Sequence, residues 1–206
     1  MADLVLKGQT VNLGGSGYVP LRVGSDGIQV VDERIREYAV RGKLYSTSVA
    51  AVTLPVNAGT LASKFGLYNP PSSGVFLEIV DITIHAVVAT TVVSGVGVYY
   101  SNGANASGAT FTTRSVTENG RLGEGVSANG LGYAAVTHVG TPVLADLIGG
   151  WGAVTDGGAT SIYKKFNGSL LVPPGTLIAV AMTTAAFTGS GITGVIRWIE
   201  TPYVAQ

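Results

Sequence analysis

Branched apolar residues dominate a long run in the first half of the chain, directly after a turn. Residues 66–74 contain two prolines, two serines and two glycines, a composition typical of a corner that neither a helix nor a strand continues. Residues 75–88 are mostly Val, Ile and Thr, whose branched side chains favour a pleated strand. We predict a long core strand there and a second strand over residues 90–100.

The apolar face of this first strand changes sides near Val80. Val75, Leu77 and Ile79 share one parity, which turns polar at Asp81, Thr83 and His85. The other parity is apolar and comprises Phe76, Val80, Ile82, Ile84 and Ala86. One inserted residue moves every later side chain to the other face, so the pattern predicts a β-bulge. The alternative is a strand that is buried on both faces at its start only. Glu78, Asp81 and His85 within the run argue against a membrane-spanning helix.

Further strand-like runs follow, separated by Gly, Pro and Asn turns. They cover residues 44–49, 52–56, 111–116, 133–139, 161–166, 169–172, 176–183 and 192–200. Pro55 lacks a backbone donor and is expected at an edge or a strand end. Since no fixed period repeats, we exclude propellers and solenoids. Many short strands with almost no helix predict an all-β sandwich or barrel.

One segment, residues 141–150, carries the signals of a helix. Thr141 can cap the first turn, Pro142 suits the first helical position, and Gly149 can end the helix. We therefore predict two helical turns whose apolar side chains pack against the sheet. In contrast, residues 101–109 consist of Ser, Asn, Gly and Ala, and their composition predicts a flexible loop.

Composition narrows the classes of function. The 206 residues suffice for one domain, or for one domain plus an extension. Charged residues make up 12% and the formal net charge is zero, so nothing favours nucleic acid or an anionic membrane as a partner. Low charge favours association with other chains. Cysteine is absent, which excludes disulfides and thiolate metal sites. The first residues lack the pattern of a signal peptide, so we expect synthesis in a cytoplasm.

The first 45 residues differ from the remainder of the chain. Their β-like runs are short and interrupted by glycines, and charges cluster toward the end of the segment. One interpretation is a solvated face of an edge strand or short helix; the other is an arm that docks on a neighbouring subunit. Even about fifteen extended residues would reach ~50 Å. We predict an arm over residues 1–45 and a sandwich over residues 46–206, with the candidate interaction residues Asp32, Glu33, Arg34, Arg36, Glu37, Arg41 and Lys43.

Candidate catalytic residues are sparse. His85 shares a strand parity with Asp81 and Thr83, which could form a site or simply a polar strand face, and His138 stands alone. No spacing fits a zinc, facial-triad or EF-hand site. No serine lies in a nucleophile-elbow motif, and no glycine-rich segment carries the P-loop lysine. We therefore expect no catalytic residue, cofactor or metal, and no enzyme activity.

Aromatic residues offer one further possibility. Tyr99, Tyr100, Tyr133 and Trp151 could form a platform for a sugar ring, or could be core residues of the sandwich. The platform would suit a glycan- or host-binding module of a head or tail fibre. Glycan or host binding is therefore the alternative function, and it predicts an exposed cluster of aromatic side chains.

Several segments resemble a family of small bacteriophage virion proteins of the capsid decoration, or cement, type. They are the turn at 66–74 with the strand at 75–84, the segment 167–176, the ending 197–202, and the charged stretch 31–43. The resemblance implies a jelly-roll-like antiparallel β-sandwich, often trimeric, on an icosahedral shell. It brings no catalytic residues, and residues 101–160 show no match.

Together, these observations predict an all-β, jelly-roll-like antiparallel β-sandwich with an extended N-terminal arm and at most one short helix. The resemblance implies a decoration protein that binds the outer shell and stabilises contacts between subunits of the major capsid protein. We expect a homotrimer on the capsid surface of the virion, made in the host cytoplasm, with neither nucleic acid nor membrane as a partner.

Overall fold

Two antiparallel sheets form the body of the protein in the computed structural model. The chain divides into two units, Met1–Glu37 and Tyr38–Gln206. The structure describes residues 34–57, 61–86, 93–121, 127–152, 160–166 and 168–203, with side chains except at 34, 36, 37 and 188–190. The predicted arm lies mostly outside these residues.

Thirteen strands and two short helices make up the described part of the chain. The strands are β1 (Leu44–Leu54), β2 (Ala62–Ser63), β3 (Gly66–Asn69), β4 (Val75–Ala86), β5 (Ser94–Asn102), β6 (Thr110–Arg114), β7 (Thr117–Asn119), β8 (Leu131–Thr137), β9 (Val143–Trp151), β10 (Thr160–Lys165), β11 (Leu171–Val172), β12 (Thr176–Met182) and β13 (Phe187–Pro202). The helices are α1 (Arg34–Val40) and α2 (Gly103–Ser107). Strands thus dominate, as predicted.

The strand order is that of a jelly roll. The first sheet runs β10-β4-β13-β1-β7, with β11 also on β4, and the second runs β2-β8-β3-β12-β5-β9, with β6 on β8. If β1, β3, β4, β5, β9, β10, β12 and β13 are numbered one to eight, the sheets read 1-8-3-6 and 2-7-4-5. This is the double Greek-key winding of a jelly roll, and it confirms the predicted sandwich.

The predicted bulge in β4 is present. Asp81 lies opposite Arg197 of β13, and Ile79 lies opposite Trp198, so Val80 is the extra residue of the pair. Side chains that enter the core are odd-numbered before the bulge and even-numbered after it: Leu77 and Ile79, then Ile82, Ile84 and Ala86. Asp81, Thr83 and His85 consequently point away from the core.

Strand β12 is buried on both of its faces. Ile178, Val180 and Met182 pack between the two sheets. On the opposite face, Leu177 packs against a separate apolar cluster that includes Tyr68, Tyr133, Val136, Ala106 and Ala109. Because Ala106 belongs to α2, this short helix covers part of the outer face of the second sheet.

The prediction of a helix at 141–150 is wrong, since this segment forms the edge strand β9, which pairs with β5. Leu144 lies opposite Tyr99 and Asp146 lies opposite Val98, so a first register shift leaves Ala145 without a partner. A second register shift leaves Ile148 without a partner. These two bulges each insert one residue, so the apolar side chains recur at a spacing that imitates a helix. The two short helices, where at most one was predicted, lie elsewhere: α1 in the charged segment and α2 in the predicted loop.

Gly132 of β8 lies where the two sheets approach closely. A Cβ atom there would overlap Thr47 Oγ1 and lie 2.5 Å from Ser115 Oγ. These two hydroxyls are themselves hydrogen-bonded at 2.5 Å, so neither can move without a cost. We predict that Gly132→Ala lowers the free energy of unfolding by about 1–3 kcal/mol, the usual cost of overpacking, in urea denaturation.

Gly152 provides the matched control, because no described atom outside its chain neighbours lies within 4 Å of the position its Cβ would take. We expect Gly152→Ala to leave the urea midpoint unchanged. Equal midpoints for the two alanine variants would show that the contact between Gly132 and Thr47 is not tight.

Candidate functional site

The predicted interaction residues are only partly described. Asp32 and Glu33 lie outside the described residues, and Arg34, Arg36 and Glu37 lie on α1 without described side chains. Arg41 and Lys43 are exposed in the turn between α1 and β1. In this turn Gly42 has a φ of 66°, and its N–H donates to the Ala39 carbonyl at 3.0 Å. A binding role for the charged set stays a prediction.

The outer face of the first sheet carries a row of charged side chains. Asp81 lies between Arg197 of β13 and Lys165 of β10. Arg197 Nε donates to Asp81 Oδ1 at 2.8 Å, and the Asp81 side chain is 4% exposed whereas that of Arg197 is 46% exposed. The arginine therefore pairs with the carboxylate and still reaches solvent.

His85, Thr83 and Asp81 share this outer face, but the structure does not bring them into one site. Asp81 and His85 are four residues apart on a single strand, roughly 13 Å along it. His85 Nδ1 instead lies 2.5 Å from Ser161 Oγ on β10, at the exposed surface. The arrangement is a polar strand face, and it lacks the geometry of a Ser-His-Asp triad.

A buried serine–histidine pair went unnoticed in the sequence. Ser101 Oγ and His138 Nδ1 are 2.8 Å apart, and the residues are 6% and 1% exposed. Burial lowers the pKa of His138 to about 4, so the ring is neutral near pH 7. Both residues are buried, so a substrate does not reach the pair. No carboxylate among the described residues is hydrogen-bonded to the other ring nitrogen of His138, Nε2. The pair is not a nucleophilic site in this conformation.

Glu200 at the end of β13 is a buried carboxylate enclosed by hydrogen-bond donors. Its Oε1 accepts the backbone N–H groups of Asn129 and Gly130 at 2.7 and 2.9 Å, and its Oε2 accepts Asn129 Nδ2 at 2.8 Å. Charge-assisted bonds of this kind are stronger than neutral ones. Glu200 therefore holds the segment before β8 against the first sheet.

The aromatic residues proposed as a sugar platform are mostly in the core. Tyr99, Tyr133 and Trp151 are 4%, 7% and 2% exposed, and Tyr100 is half-buried. The ring of Trp151 packs on Phe187, with 5.7 Å between centroids. These rings do not form an exposed cluster, so the glycan-binding alternative gains no support from them.

The edge strand β9 exposes three large apolar side chains, which we call the β9 strip. Val143, Leu144 and Leu147 are 55%, 44% and 52% exposed. Beside them lies a groove of about 210 Å³ lined by Tyr100, Asn102, Ala145, Leu170, Leu171, Pro173, Thr176 and Ile178. Lys164 Nζ binds Asp146 Oδ2 and the Leu147 carbonyl, both at 2.7 Å, which neutralises the carboxylate of β9. An exposed apolar edge of this kind is typical of a contact surface.

The part of the chain that the structure describes contains no cluster of three His, Asp or Glu side chains that could hold a metal ion. None of its helices has the length and apolar character needed to cross a membrane. No family model, curated protein or solved structure matches the chain.

We predict that Glu200→Gln lowers the free energy of unfolding by about 1–3 kcal/mol. The amide group turns a donor toward Asn129 Nδ2 and removes the charge that strengthens the two backbone bonds. Chemical denaturation measures the loss. Glu118→Gln on β7 is the control, because Glu118 is exposed and its side chain lies in solvent. A loss of equal size in both variants would contradict the role of the Glu200 carboxylate.

Proposed function

We propose that this chain is a bacteriophage capsid decoration protein, which binds the outer shell and stabilises contacts between major capsid protein subunits. Its support comes first from the place of the resembling segments in the fold. Three of the four resembling segments are placed as follows. Residues 66–69, expected to belong to the turn, form β3 instead, and residues 70–74 join it to β4; residues 168–176 lead through β11 into β12, and residues 197–202 end β13. All three segments meet at one corner of the jelly roll.

Hydrogen bonds tie this corner together. Asn69 Nδ2 donates to the carbonyls of Val75 and Val172, both at 2.8 Å. The Gly175 N–H donates to the Asn69 carbonyl at 2.8 Å, and β13 runs beside the first half of β4. Segments far apart in sequence therefore form one structural unit, and this convergence is the observation that carries the proposal.

The β9 strip supports the second part of the proposal, association of the body with copies of itself. Its apolar side chains are exposed on an edge strand, and the only carboxylate of that strand is already paired with Lys164. A neutral apolar surface is suited to another neutral apolar surface, such as that of a second copy. We propose a homotrimer, in which several modest contacts add up on the shell.

The proposed division of labour places shell binding in the arm and self-association in the body. It assigns no catalytic role, cofactor, nucleic acid or membrane to the protein. The protein would be made in the host cytoplasm and would end on the capsid surface of the virion.

Removal of residues 1–37 tests the role of the arm. We place the cut before Tyr38, where the second unit begins, because Tyr45 already belongs to the core. We predict that the shortened chain folds, with the circular dichroism and melting temperature of a β-sandwich, but no longer cosediments with shells of the major capsid protein. Shell binding by the folded, shortened chain would refute this role for the arm.

Polar substitutions in the β9 strip test self-association. We predict that Val143→Thr combined with Leu147→Gln shifts the protein toward a monomer in analytical ultracentrifugation, because the exposed apolar area that associates is lost. The folding stability should change little, since both side chains are about half exposed.

Val116→Thr is the matched control for the strip. Val116 is 62% exposed but lies between β6 and β7, away from β9 in the chain. We expect this variant to keep the native assembly. An assembly unaffected by the double substitution would exclude the strip as the contact surface and would leave the arm experiment unchanged.

A further inference from the structure

The connection from β8 to β9 is tied to the body at both of its ends. The His138 N–H donates to the Leu61 carbonyl at 2.9 Å, and Asn57 Nδ2 donates to the Pro142 carbonyl at 3.0 Å. The imidazole of His138 adds a third tie, to Ser101 Oγ of β5 at 2.8 Å. A single residue, His138, therefore joins this connection both to β5 and to the segment ahead of β2.

The surroundings of the His138 ring suit only its neutral form. The residue is 1% exposed, and its Nε2 has no hydrogen-bond partner among the described residues. A proton added to the ring would create a charged donor without an acceptor. Burying such a group is costly because neither water nor a carboxylate compensates the charge.

The elements around His138 offer no compensating charge. By sequence, β5, β8, α2 and residues 138–142 contain no Asp, Glu, Lys or Arg. Lys64, the residue directly after β2, is a cation, and it is exposed. On the face of β5 that carries Ser101, the nearest ionisable side chain is that of Tyr99. Burial raises the pKa of Tyr99, so this side chain is neutral in acid.

We propose that His138 is an acid-sensitive latch: protonation of its ring releases the connection between β8 and β9 from β5 and from the segment ahead of β2. The connection leads directly into β9, so its release also loosens the strand that carries the β9 strip. The inference rests on the hydrogen bonds and burial of His138, and it is independent of the proposed function.

The direction of the pH effect follows from the two protonation states. Burial lowers the pKa of His138 from its ordinary value of 6.5 to about 4. The unfolded or opened chain therefore binds more protons than the folded chain between these values, and stability falls as the pH drops through this window. Between pH 7.5 and pH 5 this corresponds to a loss of about 30-fold in the folding equilibrium constant.

The chain offers a matched pair of variants, because its two histidines differ in burial. His138→Asn keeps an amide near the position of Nδ1, so it can still bond to Ser101, but it cannot titrate. His85→Asn removes the half-buried histidine on the outer face of the first sheet. Urea denaturation at pH 7.5 and pH 5, with the full chain, gives the folding constant of each variant.

We expect the wild type and His85→Asn to lose about 30-fold in the folding constant at pH 5, and His138→Asn to lose much less. The hydrogen-exchange protection of the amide at residue 138 should fall in acid with His138 and stay constant with Asn. An equal acid loss in the wild type and in His138→Asn would overturn the proposal.

NMR of the histidine rings in the wild-type chain supplies a test that needs no folded variant. We expect the His138 ring resonances to titrate only below pH 5, together with loss of protection at its amide. A His138 ring that titrates near pH 6.5 without any loss of protection would equally overturn the latch.

Discussion

The extra residue at Val80 determines what the first sheet buries and what it exposes. Without the bulge, the parity of β4 would carry Asp81 and His85 into the space between the sheets. With it, Ile82 and Ile84 enter the core, and Asp81 meets Arg197 on the outer face. Because β4 lies between β10 and β13, the register of all three strands depends on this one insertion. The polar face is therefore a consequence of core packing.

The second sheet departs from the usual rule that one face of a sandwich sheet meets solvent. In β12 the outward residues are Leu177, Ala179 and Ala181, and all are buried. The small side chains of Ala179 and Ala181 pack in one cluster with Leu61 and with Tyr99 of the neighbouring strand β5. This cover buries additional apolar surface in a chain with only 12% charged residues.

Sequence patterns predicted the strands well where the side-chain parity was regular or broken once. The bulge at Val80 was visible because apolar residues on both sides of it are numerous. In β9 two bulges follow within a few residues, and Leu144 and Ile148 then recur at helical spacing. Local propensity cannot distinguish a helix from a strand with two bulges. Segment 143–151 is a strand because β5 offers a partner for its backbone.

The polar clusters could not be predicted because their members are far apart in the chain. Ser101 and His138 are brought together by the fold, and Glu200 reaches the backbone of Asn129 across 71 positions. Neither pair has a sequence motif, because each joins residues that are distant in the chain, and one partner of Glu200 is backbone that every residue carries.

These clusters are structural, and they differ in this from the exposed side chains of β9. The Glu200 carboxylate accepts hydrogen bonds from the segment before β8, and one ring nitrogen of His138 is hydrogen-bonded to Ser101. Both groups are closed to solvent, so they act on the fold and not on a substrate. The apolar side chains that remain open, above all Leu147 and its neighbours on β9, have no partner function inside the body. An edge strand with exposed apolar side chains is stabilised when another chain covers it, and the proposal of self-association rests on this property of β9.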